Sequence, residues 1–383
     1  MPREDLHEIS TPHDDIELGI ARVPLRYAVT QPPTGLGDDT GLILYIGGYG
    51  SGYDDDYARN LRRHLAETYD CVVVSADYFG SECHQEKDRL PAADFFVKLK
   101  EHFGLEMTVP AGTPIQTAAR AALDALVERG VRDLPPEIHF INPGGQYNSF
   151  GLLPALDCLQ VVHRVMADRP INRHRVFLLG SSYGGYIGLL LNKLAPNTFR
   201  LIVDNSGFSS SADTLNSIQG VSRLNYRGMR VAVRNQLHFS LSPGRPNSFT
   251  PGFAALRELR DPAHYHPGDT VIESFHSALD TFAPIAHKRE LAAVLAAARP
   301  CTLTVVTEED LDGHCFKTLE HGMQASLRGL FKRSYERWLP LAGSARDVTD
   351  FDMETAMDFD CEELCYHIAF SRSHGVGMTL TRP

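Results

Sequence analysis

Gly180-Ser181-Ser182-Tyr183-Gly184 has the spacing G-x-S-x-G, and its neighbours give the pattern a setting. The apolar run RVFLL (175–179) precedes it, as expected of a buried strand, and Ile187, Leu190, Leu191 and Leu194 follow at helical spacing. A serine at a sharp strand-to-helix turn takes a strained backbone, and glycines on either side remove the side chains that would clash. The same turn puts the next backbone N–H, that of Tyr183, at a helix N-terminus, where it stabilises developing negative charge. The chemistry such an arrangement supports is nucleophilic attack by the Ser182 hydroxyl, with Tyr183 contributing to an oxyanion hole. Small residues at this spacing also ease helix–sheet packing; strand, turn and helix together favour the catalytic reading.

A second glycine-rich loop, GGYGSG (47–52), follows the apolar run LILYI (42–46) and precedes a helix, the strand CVVVS (71–75) and Asp77. Taken alone, Gly47-x-x-Gly50-x-Gly52 is close to a dinucleotide fingerprint, so an NAD(P)-binding Rossmann-type oxidoreductase is the rival from another class. Asp54, Asp55 and Asp56 weaken it, because they stand where a pyrophosphate would dock. A catalytically inert binding module on the same scaffold is a third reading. Cys361, Cys365 and His367 lack a second ligand pair, so no metal is expected, and no cofactor is expected either.

The elements that must position these residues alternate between strand and helix. With 383 residues, the chain is long enough for one large α/β domain with insertions, and no internal repeat or long linker divides it. Helices are expected over 55–69, near 92–102 and 114–130, and over 151–168, 285–298 and a stretch from Gly322. Further strands are expected at FRLIVD (199–204), TVIESF (270–275) and TLTVVT (302–307). The alternation of Phe351, Met353, Met357, Phe359 and Cys361 with acidic residues predicts an amphipathic strand over 350–361. The expected fold class is α/β: a mostly parallel sheet with helices on both faces, an inserted cap and a C-terminal β-ribbon. The expected division is a core over 1–210 and 269–340, a cap over 211–268 and a β extension over 341–383.

Over roughly Asp15 to Pro340, less the cap and the irregular stretch after Ser75, the chain resembles the α/β-hydrolase superfamily. The elbow GSSYGGY is similar to those of its serine peptidase and esterase branches. The cap, the HGM segment and the C-terminal ribbon resemble a bacterial hydrolase family. The resemblance implies a triad in the chain order serine, acid, histidine. Asp280, four residues before Pro284, matches the acid loop, with Asp310 and Asp312 as competitors. His321, just ahead of the last amphipathic helix, is the preferred base, with His314 the alternative. GGYGSG then resembles the oxyanion loop, an N–H of Gly48 or Tyr49 joining that of Tyr183. The implied activity is that of a serine hydrolase cleaving an ester or related acyl bond through an acyl-enzyme. Peptide cleavage and acyl transfer are alternatives on the same triad.

Charge narrows the partners. Lys and Arg total 37 against 48 Asp and Glu, a net charge of −11 that argues against nucleic acid; the small-molecule acyl substrate is what the resemblance implies. The start MPREDLHEIS has no apolar signal core, no run is long enough to span a membrane, and the seven cysteines suit a reducing compartment, so a cytoplasmic location is expected. Between 211 and 260, seven arginines face only Asp213 and Glu258. A basic lid of this kind would draw anions, so Arg227 and Arg230 are expected to bind an anionic substrate. The competing role for these arginines is to pair with carboxylates and dock the insertion.

Overall fold

The computed structural model describes residues 2–83, 89–210, 220–344 and 346–382. Among these the strands are β1 (Arg3–Ile9), β2 (Leu25–Gln31), β3 (Gly41–Ile46), β4 (Cys71–Ala76), β5 (Leu90–Pro91), β6 (His139–Asn142), β7 (Val176–Ser181), β8 (Leu201–Asn205), β9 (Val221–Tyr226), β10 (Met229–Asn235), β11 (Val271–Ser277), β12 (Cys301–Val306), β13 (Ala356–Cys361), β14 (Leu364–Ser371) and β15 (Gly375–Thr381). The α-helices are α1 (Asp56–Tyr69), α2 (Phe95–Phe103), α3 (Ile115–Glu128), α4 (Leu152–Asp168), α5 (Tyr183–Leu194), α6 (Pro251–Arg257), α7 (Ile285–Ala298), α8 (Leu327–Trp338) and α9 (Asp350–Met353). The chain divides into two compact units, one of residues 1–79, 149–213 and 250–383, the other of 80–148 and 214–249.

The first unit is built on an eight-stranded sheet of order β1-β2-β4-β3-β7-β8-β11-β12. β1 and β2 pair antiparallel, as do β2 and β4, and every later pairing is parallel. Strands covered on both faces must be apolar throughout, and β3 and β4 are buried at every position. Helix α5 is buried along its whole length, and α4 along most of it. Elsewhere α1 and α8 bring Leu61, Leu65, Phe331 and Trp338 into one apolar cluster with Phe177, Leu179 and Val203 of the sheet. The α/β class, the largely parallel sheet and the C-terminal β structure are as expected.

That C-terminal structure is an antiparallel sheet of order β13-β14-β15. Tyr366 on β14 donates to Glu17 at 2.6 Å, and Glu17 pairs with Arg257 at 2.8 Å; neither side chain of the ion pair has any exposure. Arg257 also donates to the carbonyl of Ser149, so the pair's remaining hydrogen-bonding capacity is used. The alternation over 350–361 does not make one strand. Thr349 and Asp352 form a capping box that winds 350–353 into α9, and β13 begins only at Ala356.

The second unit has its own sheet, of order β5-β6-β10-β9, and its own core of Phe95, Leu99, Leu123, Val231 and Val233. This differs from the expected division. The unit takes in 80–148, which the sequence assigned to the first part of the core, and it ends at 249 rather than 268, leaving α6 in the first unit. Two separate stretches combine because β10 pairs parallel with β6, a contact between residues 93 positions apart. The start of the expected cap, 211–219, lies outside the described residues.

Candidate active site

The site is assembled in the first unit at the C-terminal ends of its parallel strands. Ser182 follows β7 and carries φ 55° and ψ −118°, a backbone conformation that a non-glycine residue holds only at a cost of about 1–3 kcal/mol. Its N–H donates to the carbonyl of Asn205 at 2.7 Å, tying the turn to the end of β8. A β-carbon on Gly184 would lie 2.1 Å from the carbonyl oxygen of Ile46, so only glycine lets α5 start against the end of β3. Tyr183 is the first residue of α5, and its amide is among those with no acceptor inside the helix. A β-carbon on Gly48 would come within 3.4 Å of the Ser182 β-carbon, which places the loop after β3 directly against the serine.

Asp280 and His321 meet this serine in one hydrogen-bond chain. His321 Nε2 lies 2.7 Å from Ser182 Oγ, and His321 Nδ1 lies 2.8 Å from Asp280 Oδ2. An ionised carboxylate only accepts, so Nδ1 carries the imidazole proton and Nε2 is left to accept from the Ser182 hydroxyl. Asp280 Oδ1 accepts from the N–H groups of Phe282 and Ala283, each at 2.9 Å. Burial works against the Asp280 charge, yet the hydrogen bonds from His321 and Ala283 hold its pKa below the usual carboxylate value.

The histidine loop is held from three directions. Gly322 N–H donates to Ser206 Oγ at 3.2 Å, Asn205 Nδ2 to the Gly322 carbonyl at 3.4 Å, and Ser277 Oγ to the Leu319 carbonyl at 2.6 Å. Three successive residues at positive φ, Gly322, Met323 and Gln324, turn the chain, and the fully buried Met323 side chain joins the core. The helix beyond does not start at Gly322. Ser326 caps it, and α8 begins at Leu327. His276, at the end of β11, is a further part of the site that the sequence reading did not single out. Its Nε2 donates to the carbonyl of Ala283 at 2.6 Å and lies 3.4 Å from Asp280 Oδ2, bracing the acid loop from beneath. Burial first, then Lys288, lowers its pKa and keeps it neutral. The sequence signal was a histidine directly after the strand-like run TVIESF.

The other expected residues lie elsewhere. His314 is exposed in a loop, where Asp312 accepts from the N–H groups of His314, Cys315 and Phe316. Asp310 accepts from Thr307, capping a short helical turn. Both aspartates therefore serve as local caps. Tyr49 sets its ring edge-on to Tyr183 at 6.0 Å. The dinucleotide reading fails at its helix: Asp55 caps α1 by accepting from Ala58 and Gly52, filling the place a pyrophosphate needs, and Asp77 is paired with Arg26. In the second unit, Arg227 pairs with Asp124 at 2.7 Å and Arg230 with Asp133 at 2.5 Å. Arg257 pairs with Glu17, and Arg260 with Glu258 and Glu290. Four of the seven arginines thus pair with carboxylates, the role that competes with binding an anionic substrate. His367 bonds Asp358 and Thr381 through its two ring nitrogens. Among the described residues, no cluster of three or more His, Cys, Asp or Glu is arranged for a metal, and no helix is long and apolar enough to cross a membrane.

A mostly parallel eight-stranded sheet whose fifth strand in order along the chain ends in a serine elbow defines an α/β-hydrolase fold. The chain belongs to the family described as "Protein of unknown function (DUF2920)", whose model matches residues 128–374. No curated protein matches the sequence. Among solved structures, the chain is similar to an acylaminoacyl peptidase of Pyrococcus horikoshii, at 13% identity and a TM-score of 0.46 over 90% of this chain and 42% of that one. It is also similar to a puromycin-hydrolyzing peptidase of Mycobacterium tuberculosis (15% identity, TM-score 0.46, 90% of this chain and 40% of that one). A third likeness is to Est1E of Butyrivibrio proteoclasticus, solved with ferulic acid bound (12% identity, TM-score 0.47, 86% of this chain and 98% of that one). The chain spans about two-fifths of the length of the two peptidases.

Proposed function

We propose that the protein is a serine hydrolase that cleaves an ester or related acyl bond, with Ser182 as nucleophile, His321 as base and Asp280 as the acid that orients it. The observation carrying this reading is the chain from Ser182 Oγ to His321 Nε2 at 2.7 Å and from His321 Nδ1 to Asp280 at 2.8 Å. Ser182 attacks the acyl carbon as His321 takes its proton; Asp280, ionised, stabilises the imidazolium. The oxyanion of the tetrahedral intermediate is received by the Tyr183 amide and an amide of the Gly48–Tyr49 pair. His321 then gives its proton to the leaving group, and water repeats the sequence on the acyl-enzyme.

A panel of acyl esters, thioesters and aminoacyl amides against the native protein and Ser182→Ala tests this. Ester turnover that falls by at least about a thousandfold in the variant is expected. Equal turnover by both proteins contradicts the proposal, and faster turnover of amides than esters moves the activity to a peptidase.

A further inference from the structure

Two phenylalanine rings flank the imidazole of His321. In the reaction above His321 Nε2 hands its proton to the departing oxygen, so that oxygen must come within hydrogen-bonding distance of the imidazole. Whatever it carries then lies among the side chains around the ring. Two of these are aromatic. Phe208 and Phe282 each stand with ring centroids 5.6 Å from that of His321. Phe208 is buried, whereas Phe282 is 70% exposed, and Leu279, on the same acid loop, is 64% exposed. Single exposed apolar residues are ordinary. Here, however, both stand on the few residues that carry the buried Asp280, and no other charged residue lies between Leu279 and Pro284. Tyr49, on the loop beside Ser182, is also 43% exposed. Glu320, next to His321, is exposed and repels an anion.

Resting on the serine-hydrolase reading, we propose that the leaving group is an uncharged alcohol bearing an aromatic or similarly bulky apolar ring, which packs on Phe282 and Leu279. The bond from Ser182 Oγ to the acyl carbon forms, and the bond from that carbon to the alcohol oxygen breaks. The serine proton passes through His321 to the alcohol, and a water molecule releases the acid.

The test compares kcat/KM for methyl, benzyl, 2-naphthylmethyl and 4-carboxybenzyl acetates, whose acyl group is the same. The free alcohols are tested alongside as protectants of Ser182 against a fluorophosphonate. The benzyl and naphthylmethyl compounds should exceed methyl at least tenfold, and 4-carboxybenzyl should fall below benzyl. Phe282→Ala should cut the benzyl-to-methyl ratio about fivefold to tenfold. Leu279→Ser, at a similarly exposed position, should move it in the same direction. If Ser182 is labelled but the ratio in the native protein is near one, or neither variant changes it, the inference is overturned while the hydrolase reading stands. Ser182 unlabelled and every ester intact overturns both.

Discussion

Replacing Asp280 by Asn changes one atom of the site and reverses its proton logic. Asp280 Oδ1 accepts from two backbone N–H groups, at Phe282 and Ala283. An asparagine must keep its carbonyl oxygen there, because turning its amide toward two donors loses both hydrogen bonds, at about 1 kcal/mol each or more. The NH2 group is therefore left facing His321 Nδ1, which must accept instead of donate. The imidazole proton moves to Nε2, the atom that should receive the proton of Ser182. The nucleophile loses its base with the geometry intact. The expected fall in kcat is about 10⁴-fold, the loss that a wrong histidine tautomer produces in a serine-protease triad. Hydrolysis of p-nitrophenyl acetate and the rate of fluorophosphonate labelling should fall together, while circular dichroism and thermal midpoint change little. An Asp280→Asn protein retaining more than about a tenth of native activity would refute this reasoning.

Other perturbations probe the supports. His276→Ala removes the donor to the Ala283 carbonyl and should lower kcat more than it raises KM, a split that kinetics with one ester will read. Glu17→Ala strands the buried Arg257 charge and should reduce stability by about 3–5 kcal/mol in urea unfolding; a loss under 1 kcal/mol contradicts the burial of the pair. Gly184→Ala drives a methyl group into the Ile46 carbonyl and should cost about 3 kcal/mol or more, whereas Gly377→Ala, with open space around it, should stay close to the native unfolding midpoint. Burial raises the pKa of Asp157, but His13 and Arg22 outweigh it and the net shift is downward. The folded state then binds fewer protons than the unfolded one, so this contribution is present above the ordinary value of 3.8 and is lost as pH falls through the folded value. Asp157→Asn should accordingly lower the unfolding midpoint at pH 7, and its gap from the native protein should narrow as the pH falls below the ordinary value of 3.8.

Ser182 was visible because its constraints are local, whereas Asp280 and His321 were reached through the chain order that the family resemblance implies. An elbow needs its glycines within two residues of the serine, and the strands beneath it read as unbroken apolar runs. What escaped depends on partners distant in sequence. β1 is an edge strand whose REDLHEI reads as a polar segment until β2 pairs with it. β9 and β10 carry arginines on their exposed positions, which masked the hairpin, and the pairing of β10 with β6 has no local trace. At 350–361 the hydrophobic alternation was real, but a threonine cap decided the first turn. His276 escaped for a similar reason: its role lies in a contact with a loop seven residues on, across the end of the sheet.

The central claim is that Ser182 is a nucleophile activated by His321. Incubation of the native protein with a fluorophosphonate, followed by intact mass and peptide mapping, tests it in one measurement. One adduct on Ser182 is expected, absent from Ser182→Ala and formed far more slowly in His321→Ala. An adduct on another residue, or labelling that persists in Ser182→Ala, would contradict it.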